Sequence, residues 1–308
     1  MRSLVTGGAG FIGSHLAAAL AARDDDVLVY DDLSTGRRDN LIGIDARLVV
    51  GDIRDGEALA QAMQGVERVF HLAAMISVPE SMQRPLECYA VNLQGSLNVL
   101  DSAMRADVQR VVLSSSAAVY GGLEGEVSET SPVHPVSPYA ASKLAMERAA
   151  ALFAEIYALP TVVLRYFNVY GPGQSPDSPY AAAIPRFIQR MLAGEAPQVY
   201  GDGEQTRDFV YVEDVVLANL LAAEAEGVEG GVFNIAGGRS LSLLDLLAEL
   251  ESILPDAQSP EFGPERAGDV RFSAADIRKA GEALGYHPRY AMRRGLEDTL
   301  QWFREGRK

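Results

Sequence analysis

At 308 residues the chain is long enough for one large domain with a smaller lobe, or for two domains of about 150 residues each. A composition of 48% hydrophobic and 22% charged residues, with 29 glycines, excludes disordered, collagenous and coiled-coil proteins and reads as a globular α/β chain. The formal net charge of -15 leaves no general basic face for nucleic acid or an anionic membrane, so any phosphate site must be built locally.

A single cysteine, Cys88, excludes an intrachain disulfide framework and a thiolate metal cage, and fits a reducing, cytoplasmic setting. No metal site is expected. The apolar stretch from Val5 to Val29 is interrupted by glycines, Ser14, His15, Arg23 and three aspartates, so it is neither a membrane span nor a signal-peptide core. With a first strand under way by Ser3, no cleavable leader is expected.

In chain order, β-rich runs at Ser3–Thr6, Val27–Tyr30, Arg47–Val50, Arg68–His71, Val111–Ser114 and Thr161–Arg165 alternate with stretches carrying apolar residues at helical spacing. Those stretches are Gly13–Arg23, Glu57–Met63, Ala90–Arg105 and Tyr139–Tyr157. The alternation predicts a Rossmann-type, doubly wound parallel sheet with helices on both faces. After Arg165, Gly171, Pro172, Gly173, Pro176 and Pro179 crowd a long loop ahead of a helix near Ala181–Leu192. Strands are predicted at Asp208–Val212 and Val232–Ile235, flanking a helix at Glu213–Ala225 and able to rejoin the first sheet. The tail passes Pro255, Pro260 and Pro264 and ends in two helices near Trp302. The expected division is a dinucleotide-binding domain of residues 1–165 plus about 206–236, and a smaller mixed α/β substrate lobe of 166–205 and 237–308.

The first strand runs straight into Thr6-Gly7-Gly8-Ala9-Gly10-Phe11-Ile12-Gly13 and then a helical pattern. Glycines there permit a tight turn and let a pyrophosphate approach backbone N–H groups at a positive helix end. The second strand ends in Asp31-Asp32, and Asp31 lies 18 residues beyond Gly13, where a carboxylate can accept from an adenosine ribose. That favours NAD; Arg37 and Arg38 could receive the 2′-phosphate of NADP, but the carboxylate would repel it. Asp52, after the third strand, either meets the adenine amino group or caps the helix that begins near Asp55.

The fifth strand ends in Ser114-Ser115-Ser116, and a later helix opens as Ser137-Pro138-Tyr139-Ala140-Ala141-Ser142-Lys143. Tyr139 and Lys143 share a helix face at i and i+4. An ammonium beside a phenol favours phenolate, so Tyr139 can take a hydroxyl proton at neutral pH while a nicotinamide takes hydride from the carbon, with a strand-end serine sharing the hydrogen bond. Lysine is scarce in this chain: only Lys143, Lys279 and Lys308 occur.

These residues bring the chain to a resemblance that runs nearly its whole length. It resembles the extended short-chain dehydrogenase/reductases, and among them the UDP-hexose 4-epimerases. The matching segments are TGGAGFIGSHL at 6–16, DDLSTG at 31–36, GDIRD at 51–55, HLAA at 71–74, SSSAAVYG at 114–121, SPYAASK at 137–143, LRYFNVYGPGQ at 164–174, GDGEQTRDFVYVEDV at 201–215 and ERAGDVRFSAADI at 265–277. The resemblance implies Tyr139 as base, Lys143 as its activator and a cofactor ligand, and Ser116 as hydrogen-bond partner of the reacting hydroxyl, with Ser115 the alternative. It implies further NAD contacts at Gly7, Gly10, Phe11, Ile12, Gly13, Asp31, Asp32, Asp52, Ile53, Leu72, Ala73 and Ala74. For the substrate it implies Asn168 on the diphosphate or sugar, Arg207 and Arg266 on the diphosphate, Asp269 on the ribose, and Tyr200 on the uracil or in the core. Guanidinium forks suit phosphate oxygens.

Related dehydratases, and usually decarboxylases, place acidic residues after the strand-end hydroxyl, where this chain has Ala117 and Ala118. The resemblance therefore implies epimerisation at C4 through a 4-keto sugar, with NAD retained through turnover. A UDP-sugar decarboxylase, dehydratase or keto-sugar reductase of the same superfamily, or a non-catalytic NAD-binding protein, are the alternatives. Four residues after Asp269 stands Ser273, at a position where the family excludes N-acetyl groups with a bulky side chain; a serine there either admits UDP-GlcNAc and UDP-GalNAc as well as UDP-glucose and UDP-galactose or merely caps the next helix. Ser77 and Ser81, in the Ile76–Pro85 segment after the fourth strand, are placed to meet sugar hydroxyls. A homodimer through the Ala90–Arg105 and Tyr139–Tyr157 helices is expected.

Overall fold

Runs such as Leu4-Val5, Val27-Leu28-Val29 and Val162-Val163-Leu164 are apolar on both faces, and a strand of that composition is stable only with helices on either side. The computed structural model, which describes residues 1–123, 125–176, 182–255, 257–265 and 271–306, arranges them accordingly. In chain order the strands are β1 (Arg2–Thr6), β2 (Asp26–Asp31), β3 (Ala46–Val50), β4 (Arg68–His71), β5 (Arg110–Ser116), β6 (Glu126–Val127), β7 (Thr161–Tyr166), β8 (Asn168–Tyr170), β9 (Gln198–Tyr200), β10 (Thr206–Tyr211), β11 (Gly231–Ile235), β12 (Ser240–Ser242), β13 (Glu261–Gly263) and β14 (Ala274–Ala275). The α-helices are α1 (Phe11–Ala21), α2 (Gly56–Ala62), α3 (Val78–Gln83), α4 (Pro85–Tyr89), α5 (Ser96–Arg105), α6 (Pro138–Tyr157), α7 (Ala183–Leu192), α8 (Val212–Glu224), α9 (Leu243–Ile253), α10 (Arg278–Leu284) and α11 (Met292–Arg304), with a π-helical turn at Ala90–Gly95 leading into α5.

Seven parallel strands form the central sheet in the order β11-β7-β5-β4-β1-β2-β3. The order reverses between β1 and β4, and ligands of such sheets sit outside the carboxyl ends at that switch point. One face is covered by α1, α8 and α10 around Leu16, Leu20, Val215 and Phe233; the other by α2, α5 and α6 around Leu59, Leu100, Met146 and Leu113. A third core, with Phe187, Ile188, Leu246, Leu250 and Leu296, joins α7, α9 and α11 into the smaller lobe.

Of the two later strands expected in the main sheet, one is there. Val232–Ile235 falls in β11, paired with β7. The other, β10, instead pairs with β8 and β12 in a separate three-stranded sheet. Its sequence, Thr-Arg-Asp-Phe-Val-Tyr, mixes buried and half-exposed positions, which suits a sheet covered on one side rather than the doubly covered centre. Helix α8 packs on α1 and the main sheet, so residues 206–236 are divided between the two bodies.

Candidate active site

The glycine loop is shaped by close approach. Gly7 has φ +70, and a Cβ on it would lie 2.7 Å from the Ala73 nitrogen; a Cβ on Gly13 would lie 2.2 Å from the Gly7 carbonyl oxygen. Gly10 forms the N-cap of α1, and no side chain caps that end, so its first N–H groups are available to an anion. Asp31, nearly buried, closes the loop from below: one carboxylate oxygen accepts from Ala9 N at 2.9 Å and the other from Leu33 N at 2.8 Å. Burial raises its pKa against those hydrogen bonds. Gly36 leaves room for that carboxylate, which a Cβ would meet at 2.7 Å. Leu72 and Ala73 flank the loop, with Leu72 N donating to the Thr6 carbonyl. This glycine cradle, an uncapped positive helix end and a carboxylate at the second strand's end fit a dinucleotide such as NAD.

At the rim, Asp32 is exposed and turns back on the N–H and hydroxyl of Ser34. Asp52 is held by Arg54, whose guanidinium lowers its pKa. Asp55, not Asp52, caps α2, accepting from Ala58 N at 3.0 Å. Ile53 is buried in the core behind the loop.

At the carboxyl end of β5, Tyr139 and Lys143 come from one face of α6, and both are almost wholly buried. Ser137 caps that helix and Pro138 occupies its first turn, the arrangement that the Ser-Pro pair favours. The Ser116 hydroxyl stands beside the Tyr139 phenol and acts to lower its pKa. The Lys143 ammonium donates to the Ser114 carbonyl at 2.7 Å. Burial pushes Tyr139 up, opposed by Ser116, so the depressed phenol expected from the sequence is not found: Lys143 serves the strand carbonyl, and desolvation dominates. Burial likewise pushes Lys143 down to about 8, with Cys88 and Glu147 opposing. Ser115, the alternative serine, donates to Glu147 instead of facing Tyr139.

Asn168, Tyr200 and Arg207 line one cavity of about 350 Å³, beside β8, β9 and β10. Its wall also contains Arg186 and Phe187 from α7, Gln198, Gln205, Phe209 and Leu243, none of which the sequence singled out. They arrive from five separate segments; the polar stripe of the amphipathic α7 was the one local signal, for Arg186. The Asn168 amide donates to the Asp208 carbonyl at 3.0 Å, which fixes its orientation at the wall.

Ser273 is half-buried, with its N–H on Thr206 O and its carbonyl accepting from Ser240. It caps no helix, since α10 begins five residues later. Ser77 is the N-cap of α3, bonding Glu80 N. Ser81 is a correction: fully buried, it donates to Val78 O and accepts from Tyr139 N, leaving no surface for a sugar. Arg266 and Asp269 lie outside the described residues.

Two networks escaped the sequence reading. Asn92, on the π-helical turn, accepts from Met75 N and donates to Met75 O and to Ser142 on α6. Turns of this kind recur at functional sites. Glu147, one turn beyond Lys143, receives both teeth of the Arg165 guanidinium at 2.9 and 2.6 Å.

A model of the NAD dependent epimerase/dehydratase family matches residues 3–236. The chain belongs to that family. Within this epimerase/dehydratase family it is 38% identical over 311 residues to a UDP-glucose 4-epimerase of Mycolicibacterium smegmatis, with 99% of each chain covered. A crystal structure of UDP-glucose 4-epimerase with UDP-glucose from Thermotoga maritima has a TM-score of 0.95 and 40% identity, covering 100% of both chains. A UDP-N-acetylglucosamine 4-epimerase from Methanobrevibacter ruminantium, in complex with UDP-N-acetylmuramic acid, has a TM-score of 0.95 and 38% identity over 99% of this chain and 98% of that one. A dTDP-glucose 4,6-dehydratase from Streptomyces venezuelae also matches, with a TM-score of 0.91 and 36% identity over 100% and 98%. Family membership thus gives the fold and an NAD-dependent, epimerase-like enzyme, while the reaction is argued from the residues.

Proposed function

We propose that the protein epimerises UDP-hexoses at C4, interconverting UDP-glucose and UDP-galactose and accepting UDP-GlcNAc and UDP-GalNAc. The observation that carries this is the buried Tyr139–Lys143 pair with the half-buried Ser116 at the carboxyl edge, followed by Ala117 and Ala118 in place of an acid. Removing an α-proton and expelling a hydroxyl needs an additional acid or base near the sugar; oxidation at C4 and reduction from the other face needs none.

In this reading the glycine loop with Phe11 and Ile12 holds a pyrophosphate, and Asp31 an adenosine ribose. Asp52, Asp32, Ile53 and the Leu72–Ala74 segment border the rest of the cofactor. NAD, when bound there, would supply the hydride acceptor for C4 of the sugar and the donor that returns it. Tyr139 receives the proton of the C4 hydroxyl, Ser116 shares that hydrogen bond, and Lys143 keeps a positive charge beside the developing phenolate. On proton return the flat 4-keto sugar has turned, which inverts C4. Asn168, Tyr200 and Arg207 border the nucleotide end, with Arg266 and Asp269 as further ligands. A serine at position 273 leaves width for an N-acetyl group.

The main sheet with α1–α6 and α8 acts as the cofactor body and the cavity-bearing lobe as the nucleotide-sugar body. A homodimer through the helices at 90–105 and 139–157 is part of the proposal, supported on the second by the exposed Leu152, Ile156 and Tyr157. A cytoplasmic location rests on the lone, buried Cys88; no helix among the described residues is long and apolar enough to cross a membrane. The test is to incubate the purified protein, without added NAD, with UDP-glucose and separately with UDP-GlcNAc, and to resolve the C4 epimers. Conversion abolished in Tyr139→Phe supports the proposal. No conversion of either sugar after NAD is supplied rejects it.

A further inference from the structure

Helix α6 carries three buried functional side chains on one stripe, Tyr139, Lys143 and Glu147, at i, i+4 and i+8. The three serines that end β5 meet them one for one. Ser116 stands beside the Tyr139 phenol, Ser114 offers its carbonyl to the Lys143 ammonium, and the Ser115 hydroxyl donates to Glu147. Glu147 is gripped from the other side by Arg165 on β7, which stands level with Ser115 in the sheet register. Arg165 is fixed in turn: it donates to the Tyr120 hydroxyl at 2.8 Å, and Tyr120 donates to Asn234 at 2.6 Å, on the adjoining strand β11.

A buried ion pair is an expensive way to hold a helix, since apolar side chains of equal volume commonly serve as well or better. Its place, one turn beyond Lys143, gives the pair another use. We infer that Glu147, clamped by Arg165 and Ser115, is a positioning residue for the reaction: it fixes the rotation of α6 about its axis and supplies the negative charge that keeps the Lys143 ammonium charged in a desolvated site. The catalytic half of this inference rests on the epimerase reading above; the electrostatic half does not.

The charged and titratable groups around Lys143 are few. Tyr139 and Glu147 flank it on its own helix, Cys88 faces it from α4, and His71 faces it from β4, while Arg165 stands beyond Glu147. His71 is held neutral, pushed down to about 3 by burial and by the lysine charge. Cys88 is raised by burial, so its thiol is neutral near pH 7. Glu147 is therefore the anion available to Lys143 there, opposing the burial that brings Lys143 down to about 8.

The chain has only three lysines, so 13Cε-lysine NMR of the NAD-loaded protein reads Lys143 directly, against Lys279 and Lys308. In Glu147→Gln the Lys143 titration is expected to fall by about one pH unit. The alkaline limb of kcat for UDP-glucose should move down equally, about fivefold in rate at the wild-type midpoint and about tenfold well above it, with KM little changed. Glu147→Asp should restore both. A paired Glu147→Leu/Arg165→Met variant, which keeps packing without the ion pair, reads the same effect if Glu147→Gln fails to fold. A wild-type Lys143 titration in whichever charge-free variant folds overturns the inference. If wild-type protein does not turn over UDP-glucose, the proposed function fails while the NMR titration still decides the role of Glu147.

Discussion

Gly13→Ala tests the cradle at its tightest point. The added Cβ would stand 2.2 Å from the Gly7 oxygen, 2.6 Å from Gly8 Cα and 2.9 Å from the Gly7 carbonyl carbon. All three are backbone atoms, so no rotamer relieves the clash, and α1 must withdraw by roughly 1 Å to reach ordinary contact distance. Overpacking of this kind costs about 1–3 kcal/mol. Against a total stability on the order of 5–15 kcal/mol the variant still folds, with Tm lower by roughly 3–8 °C. The withdrawal also loosens the Gly10 N–H to Gly7 O bond that shapes the loop, so bound NAD should be lost along with stability. Gly56→Ala is the control: its Cβ would meet nothing nearer than Asn98 at 3.9 Å, at a helical position that needs no positive φ. It should be neutral or stabilising by about 0.4–1 kcal/mol. Melting curves and the NAD released on denaturing each purified protein supply the readouts. A Gly13→Ala protein with wild-type Tm and a full complement of NAD would refute the reasoning.

Tyr139→Phe should lower kcat by roughly 10²–10⁴ while Tm stays near that of the wild type, because the buried ring and the Tyr139 N–H bond to Ser81 remain; a rate within tenfold of wild type argues against Tyr139 as base. Asp208 gives the pH dependence its sign. Burial raises it to about 6 against the Gly237 N–H bond and the nearby N–H groups of Ala275, Gly238 and Arg239, so the folded state holds the proton more tightly than the unfolded one. Its contribution is full below about pH 4 and lost as pH rises through about 6, on the order of 3 kcal/mol. Tm measured from pH 4 to 7 should therefore decline less in Asp208→Asn than in wild type, and parallel curves would exclude this role. Ser273→Tyr should depress turnover of UDP-GlcNAc at least tenfold and spare UDP-glucose; equal losses on both sugars would mean that position 273 does not border the C2 substituent.

What the sequence conveyed was mostly local. The glycine loop, Asp31, and the Tyr139–Lys143 spacing lie within short stretches whose geometry follows from turn and helix periodicity. The parallel strands were legible because doubly covered strands read as continuous apolar runs. Strand β10 was assigned to the wrong sheet because alternation tells how many faces are covered and says nothing about which neighbour pairs. The Ser81 error was avoidable: Ser77 followed three residues later by Glu80, with Pro79 between, marks the start of a helix, and a helix places Ser81 on its buried side. The cavity wall was not legible, since Asn168, Arg186, Tyr200, Phe209 and Leu243 meet only after the smaller lobe has closed. Nor was the Glu147–Arg165 pair, whose members join a helix to a strand 18 residues on.

A fixed sequence of hydrogen bonds joins the cofactor end to the catalytic end, and its direction follows from donors and acceptors. The Ser96 hydroxyl donates to the Asn92 carbonyl at 2.5 Å, so it must accept from His71 Nε2 at 2.8 Å. His71 Nδ1 then has only its lone pair to offer and takes the Thr6 hydroxyl proton at 2.8 Å. Thr6 ends β1 where the glycine loop begins, and the Asn92 side chain holds Met75 and reaches Ser142 on α6. The glycine loop, β4, the π-helical turn and the Tyr139 helix are thereby tied through side chains that never reach solvent. An imidazolium at position 71 would reverse the Thr6 link, leaving the Thr6 hydroxyl proton without that acceptor, and would repel Lys143; burial prevents it by holding His71 neutral. The tie thus survives across the pH range in which Lys143 titrates, and a change of rate in that range reports the lysine rather than a loosening of the site.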